Sequence, residues 1–179
     1  MRTNLTHCIL AGLGLALASH AQAATVTGTI SSTLTLISAC QVNGTTGTSG
    51  LNFGTLSFGT QEALFTTANG QVLGGGGGAM SILCSAGTVP AIRVRAGAHD
   101  GASSGGTRAL ADGAGNFVPY DFYTDTGRTQ LLAIDGTITL PTSTGVAQTV
   151  NLYGQARGKA GLPAGVYTCL LYTSDAADE

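Results

Sequence analysis

The residues that could act as a catalytic nucleophile have the wrong surroundings for it. Residues 101–105 read Gly-Ala-Ser-Ser-Gly, which fits the G-x-S-x-G pattern of a serine nucleophile on a strand-to-helix turn. That chemistry needs a histidine to take the serine proton, and in this chain order it would have to follow the serine. No histidine follows His99. We therefore do not expect Ser103 to be a nucleophile.

The histidines and carboxylates also lack the grouping that a metal site or an acid–base pair requires. Two of the three histidines lie within the first 23 residues, which leaves His99 beside Asp100 as a single imidazole in a glycine-rich loop. The other aspartates lie in predicted turns, where aspartate commonly stabilises the backbone: Asp112, Asp121, Asp125 and Asp135. We expect no catalytic residue, no metal ligand, no cofactor and no small-molecule substrate.

Binding of phosphate or nucleic acid is not indicated either. Residues 74–78 are all glycine, but no G-K-[ST] follows them, so we expect a flexible loop. The net charge is −2 and the basic residues form no cluster, which argues against a nucleic acid partner. Asn43-Gly44-Thr45 fits an N-glycosylation acceptor, although Gly44 also suits a hairpin turn, which we favour.

The N-terminus predicts export. Arg2 precedes an apolar run over residues 8–18, and Ala21-Gln22-Ala23 then gives a small-x-small cleavage pattern. Together they are typical of a secretory signal peptide over residues 1–23. The apolar run is shorter than the roughly 20 residues that a membrane-spanning helix needs. Cleavage after Ala23 would leave 156 residues, which suits a single domain.

Export also predicts a disulfide. Cys8 would leave with the signal peptide, so that Cys40, Cys84 and Cys169 remain. Cysteines in predicted strands are usually bonded in an oxidising compartment. We expect Cys40 to pair with Cys84 and Cys169 to be the odd thiol; a link between Cys40 and Cys169 would overturn this pairing.

Residues 24–36 show the longest alternation of apolar and polar residues in the chain. Val26, Ile30 and Leu34 share one face, and threonines fill the other. Such a period of two predicts a β-strand, and its length exceeds the usual five or six residues. The segment contains no proline and no charge, so an unpaired strand here would be prone to aggregate.

The rest of the chain predicts short strands separated by glycine-rich turns, and no amphipathic helix. The predicted strands cover residues 51–58 with a break at Gly54, 79–84, 91–96, 117–124, 136–140 and 148–154. This spacing favours an all-β sandwich or barrel.

Arg93 and Arg95 would point outward from their strand. Tyr120 and Phe122 alternate as core residues do, so we favour core packing over a sugar-binding platform.

Several motifs, taken in order, resemble one known family. They are the Thr/Val-rich N-terminal strand leading to Cys40, Leu51-x-Phe53-Gly54, Cys84 at the end of its strand, Tyr120-Asp121-Phe122-Tyr123-Thr124-Asp125 with Arg128-Thr129, residues 150–154, and Leu162-Pro163-Ala164-Gly165-Val166-Tyr167. In this order and spacing, the chain resembles the spore coat protein U domain family, which includes major subunits of archaic chaperone-usher pili.

The resemblance implies an incomplete immunoglobulin-like β-sandwich over residues 37–179 that lacks its last strand. Residues 24–36 would then be a donor strand, with Val26, Ile30 and Leu34 filling the groove of a neighbouring subunit. The implied partners are other copies of the subunit, a periplasmic chaperone and an outer-membrane usher, and the implied location is a cell-surface pilus or coat that serves adhesion and biofilm formation. The alternative is a secreted monomeric coat or matrix protein of the same fold.

The chain departs from this family pattern near its C-terminus. A final alternating strand is expected after Thr168, but residues 169–179 end in Asp175-Ala176-Ala177-Asp178-Glu179. We interpret residues 169–179 as an atypical tail, as if a truncated reading frame had been joined to foreign coding. We predict that only residues 166–172 pair as a strand and that residues 173–179 are disordered.

Overall fold

The computed structural model of the chain describes residues 27–47 and 49–175, with side chains up to Leu171. Every regular element in these ranges is a β-strand. No helix in the described part of the chain is long and apolar enough to cross a membrane. The predicted signal peptide, residues 1–23, and the predicted anchor Val26 lie outside the described residues.

The chain divides into two compact units, Met1–Thr35 and Leu36–Glu179. In the first unit, residues 27–35 have no regular secondary structure and their side chains are exposed. Ile30 is 98% exposed and Leu34 is 83% exposed. A strand requires a partner for its backbone N–H and C=O groups, so the donor-strand interpretation of this segment stays a prediction about assembly.

The second unit contains all the strands that the structure describes. They are β1 (Cys40–Val42), β2 (Thr45–Thr46), β3 (Thr55–Leu56), β4 (Thr67–Leu73), β5 (Met80–Cys84), β6 (Ala91–Gly97), β7 (Arg108–Ala111), β8 (Phe117–Tyr123), β9 (Leu131–Leu132), β10 (Gly136–Thr139), β11 (Gln148–Val150), β12 (Tyr153–Arg157) and β13 (Leu171–Asp175).

These strands form three antiparallel sheets. One sheet has the order β11-β5-β1-β2, a second has the order β10-β6-β13, and the third has the order β3-β4-β12-β8-β7 with β9 added to β8. All their pairings are antiparallel. The predicted all-β class is therefore confirmed.

A single hydrophobic core joins the three sheets. Met80 and Ile82 come from the first sheet, Val94 from the second, and Tyr120 and Phe122 from the third, and all are buried. In β5 and in most of β6, buried residues alternate with less buried ones, as expected for strands with one face on a core. The sheets thus pack as a β-sandwich around this core.

Several strands differ from their predicted bounds. Residues 148–154 were predicted as one strand, but β11 pairs with β5 while β12 pairs with β4 and β8, so the chain changes sheet between them. Only Thr55–Leu56 of residues 51–58 is paired as a strand. Strands β4 and β7 were not predicted, because polar residues interrupt the apolar alternation of β4 and β7 begins with a buried arginine.

The prediction for the tail was wrong over residues 173–175. Strand β13 covers Leu171–Asp175 and pairs with β6, with an irregularity in register between Leu171 and Thr173. The paired segment also begins later than the predicted residue 166. Backbone pairing to an available strand edge does not require apolar alternation. The charge and composition of residues 173–175 therefore did not predict that they form a strand. Residues 176–179 lie outside the described residues.

Candidate functional site

The second unit contains an apolar groove that opens into its core. The groove has a volume of about 240 Å³. Its floor consists of buried side chains from the three sheets and the connection after β11: Val72, Met80, Ile92, Val94, Phe122 and Leu152. A groove with such a floor can take up apolar side chains and offers no charged group to a polar ligand.

Two chain segments form the rim of the groove. One is the segment that leads into and includes β3, with Leu51, Phe53 and Leu56 half-buried. The other contains Leu170, which is exposed, and Leu171 at the start of β13. These side chains are apolar although they are only partly covered. The rim thus extends the apolar surface of the floor towards solvent.

Backbone geometry at Gly54 allows the first rim segment to lie close to β4. Gly54 has a φ of +131°, and a Cβ atom there would come within 2.5 Å of the carbonyl oxygen of Leu73. A side chain at this position would therefore push the segment away from β4. The break predicted at Gly54 is thus a position of positive φ and close backbone contact, where only glycine fits.

Asn43 fixes the same rim segment through hydrogen bonds. Its Nδ2 donates to the carbonyl of Asn52 at 2.8 Å, and its Oδ1 accepts from the backbone N–H of Ser81 at 2.9 Å. Asn43 adopts a φ of +50°, which asparagine tolerates better than most residues. The predicted turn at Asn43-Gly44 is confirmed, and its asparagine connects β5 to the rim.

A disulfide lies where the exposed N-terminal residues join the sandwich. Cys40 and Cys84 are opposite each other in the pairing of β1 with β5, and their sulfur atoms are 2.01 Å apart. The pairing continues one residue further, where the Ser85 N–H donates to the Ala39 carbonyl at 2.9 Å. The predicted Cys40–Cys84 bond is confirmed, and Cys169 is a half-buried free cysteine.

The predicted aromatic core residues lie beneath the groove. Phe122 lines its floor and meets Tyr120 edge to face, with ring centroids 5.7 Å apart. Tyr120 in turn meets Phe58 at 5.8 Å. Burial raises the pKa of Tyr120 far above its ordinary value, and nearby Cys169 adds to the effect. Core packing of Tyr120 and Phe122 is therefore confirmed.

Asp121 does not lie in a turn, in contrast to the sequence-based prediction. It is buried in β8, where Arg157 Nη1 donates to its Oδ2 at 2.6 Å and Thr107 donates to its Oδ1 from both the backbone N–H and Oγ1 at 2.7 Å. Burial alone would raise the pKa of Asp121, but these hydrogen bonds outweigh it and hold the pKa below 3.8. The carboxylate thereby attaches the loop before β7 to the third sheet.

Two other aspartates considered for catalysis accept hydrogen bonds from backbone N–H groups. Asp100 Oδ2 accepts from the Gly97 N–H at 2.8 Å, and Asp125 Oδ1 accepts from the backbone N–H groups of Thr129 and Gln130 at 2.9 and 2.7 Å. Among the described residues, no three histidine, cysteine, aspartate or glutamate side chains are grouped so that they could hold a metal ion.

Residues 26–172 match the Spore Coat Protein U domain family. The chain belongs to this family. The resemblance inferred from the ordered motifs is thereby confirmed. No curated protein matches the chain.

One solved structure that the chain is similar to is the crystal structure of the CsuC–CsuE chaperone–tip adhesion subunit pre-assembly complex from the archaic chaperone-usher Csu pili of Acinetobacter baumannii. A chain of that complex is 14% identical to this one, with a TM-score of 0.44. The match covers 79% of this chain and 40% of that chain, so this chain spans less than half of the length of its structural neighbour.

Sequence reasoning did not locate the groove. Its floor and rim come from segments between residues 51 and 171 that are far apart along the chain. Leu51 and Phe53 could be singled out from the sequence, because they belong to a predicted strand and to a motif of the family. The contribution of Leu152, Leu170 and Leu171 depends on sheet topology, which apolar alternation does not determine.

Proposed function

We propose that the protein is a structural subunit of an extracellular pilus or coat that is assembled by donor-strand complementation. The observation that carries this proposal is the apolar groove whose rim includes Leu51, Phe53, Leu170 and Leu171. A sandwich whose core opens to solvent in this way is completed when an extended segment lies in the opening.

The N-terminal segment has the chemistry that such a groove requires. Ile30 and Leu34 are two apolar side chains of an uncharged segment that would share one face when it is extended, and both are largely exposed. Burial of an aliphatic side chain contributes roughly 1.5–3 kcal/mol. If Val26, Ile30 and Leu34 all serve as anchors, a neighbouring subunit gains about 5–9 kcal/mol before any backbone hydrogen bonds form.

The proposed pathway follows from this chemistry. An exported subunit with an open groove and an unpaired apolar segment would aggregate if it were left alone. A periplasmic chaperone would cover the groove, and an outer-membrane usher would pass each subunit on to the next. The product is a homopolymer at the cell surface, with adhesion and biofilm formation as its roles and no enzymatic activity.

The oligomeric state of the exported chain tests the proposal. We expect size-exclusion chromatography with light scattering to resolve a ladder of oligomers once the chain is purified without a chaperone. A stable monomer at the same concentrations would instead indicate a secreted coat or matrix protein and would overturn the fibre proposal.

A further inference from the structure

We infer that Arg108 is a positioning residue of the groove, which sets the place of the Phe122 ring and of strand β6, whose Val94 forms part of the groove floor. This inference rests on the proposed function. Arg108 opens β7 and lies opposite Tyr120 in the pairing with β8, and it is completely buried. A buried guanidinium is costly unless its N–H groups are bonded.

The guanidinium donates hydrogen bonds to backbone carbonyls of the second sheet and of the turn before β10. Nη1 donates to the Arg95 carbonyl at 3.1 Å, and Nη2 is 3.3 Å from the carbonyl of Val94 and 3.4 Å from that of Ala133. Val94 and Arg95 lie where the register between β6 and β13 is irregular. Arg108 therefore holds the β6 backbone at its least regular point.

The same guanidinium also contacts the ring of Phe122 in β8. Its central carbon Cζ lies 5.4 Å from the centroid of the Phe122 ring, within the distance of a cation–π contact. Phe122 and Val94 both line the groove floor. One side chain thus bonds to the backbone of the floor residue Val94 in the second sheet and lies over the ring of the floor residue Phe122 in the third sheet.

A further contact leads from Arg108 to the rim. Asp100 Oδ2 lies 3.6 Å from Arg108 Nη1 and accepts from the Gly97 N–H at 2.8 Å. Gly97 is the pairing partner of Leu171, which is part of the rim. The arginine is therefore placed to fix the floor directly and the rim through Asp100.

The test measures how quickly a donor peptide leaves the groove. The parent is the full chain with Ile30→Asp and Leu34→Asp, so that its own segment cannot compete, and the probe is a fluorescein-labelled peptide of residues 24–37. Arg108→Lys keeps the charge but loses the planar fork of donors and its stacking. Arg157→Met is the matched control, because Arg157 also stabilises the fold yet bonds to Asp121 and Tyr123 outside the groove.

We expect the peptide to dissociate roughly tenfold faster from Arg108→Lys, as loss of charged hydrogen bonds implies, and within about twofold of the parent rate from Arg157→Met. Equal dissociation rates for the two variants would overturn the inference and leave the proposed function intact. A parent chain that binds no peptide would overturn the proposed function itself. Near-ultraviolet circular dichroism shows whether Arg108→Lys folds. If it does not, the double variant Arg108→Met with Asp100→Asn, which removes both charges, replaces it, and its peptide dissociation rate is compared with that of Arg157→Met.

Discussion

Cys40 and Cys84 face each other across the β1–β5 ladder and are joined by a disulfide at the point where the exposed N-terminal residues enter the sandwich. Replacing both by serine should lower the free energy of unfolding by roughly 4 kcal/mol, because the bond closes a long loop in the unfolded chain. Urea denaturation of the exported chain measures this change.

Chemical reduction provides the control for that measurement. The reduced parent chain should unfold at the same urea concentration as the double serine variant. The Cys169→Ser chain should be destabilised by reduction as much as the parent, because it keeps the Cys40–Cys84 bond. Mapping of non-reduced peptides that found Cys40 joined to Cys169 would contradict the account of this bond.

The ion pair of Asp121 and Arg157 predicts how stability depends on pH. The pKa of Asp121 is held below 3.8 in the folded protein, so folding favours the charged carboxylate. The stabilisation that Asp121 contributes to folding is fully present above the pKa of the unfolded chain. It is lost as the pH falls through the lower pKa of the folded protein. We expect Asp121→Asn to be less stable than the parent at neutral pH and to lose less stability in acid, as measured by thermal unfolding from pH 7 to pH 2.

Thr107→Val isolates one cause of the lowered pKa. It removes the Oγ1 hydrogen bond to Asp121 but keeps the backbone bond and Arg157. The pKa of Asp121, followed by NMR titration of its carboxyl carbon, should rise in this variant. An unchanged pKa would show that the Thr107 hydroxyl does not lower the pKa of Asp121. An Asp121→Asn chain with the parent's acid sensitivity would show that this carboxylate does not contribute to the pH dependence of stability.

Alternating strands with one face on the core could be predicted from sequence. Ile92 and Val94 alternate with arginines, and the observed strand extends the predicted one by a single residue. Residues 67–73 read Thr-Ala-Asn-Gly-Gln-Val-Leu, and their strand was missed because Asn69 and Gly70 break the apolar pattern. Glycine is needed at position 70 because the backbone of Ser57 lies close to it: a Cβ atom on Gly70 would be 2.5 Å from the Ser57 carbonyl oxygen.

The buried arginine and the buried aspartate could not be predicted from sequence. Arg108 and Asp121 are charged residues, which are seldom fully buried unless they are paired. Their partners lie on other strands and loops, such as the Val94 carbonyl for Arg108 and Arg157 for Asp121. Such pairing depends on the three-dimensional arrangement of strands, and a pattern of residue types along one chain does not contain it.

Pairing of β13 with β6 predicts a measurable effect of truncation. Thr173, Ser174 and Asp175 lie opposite Val94, Arg93 and Ile92. Removal of residues 173–179 should lower the free energy of unfolding by about 1–2 kcal/mol relative to removal of residues 176–179, because each backbone hydrogen bond contributes about 0.5–1.5 kcal/mol. Equal stability of the two truncated chains would show that this pairing contributes nothing.

The face of the N-terminal segment predicts which substitutions block assembly. Ile30→Asp should abolish polymerisation while leaving the fold intact, because a carboxylate in an apolar groove is costly and Ile30 is exposed in the single chain. Thr29→Asp is the matched control, since it places the same charge on the opposite face. Light scattering that showed equal polymerisation of the two variants would refute the assignment of Ile30 as an anchor.

Mixing two blocked chains is the most direct measurement of donor-strand exchange. One chain carries Ile30→Asp and Leu34→Asp and keeps its groove; the other carries Leu51→Glu and Leu170→Glu at the rim and keeps its N-terminal segment. Each chain alone should remain monomeric, and their mixture should form a 1:1 dimer that does not grow, as seen by size-exclusion chromatography with light scattering. A mixture that stays monomeric, or a blocked chain that polymerises alone, would contradict the account.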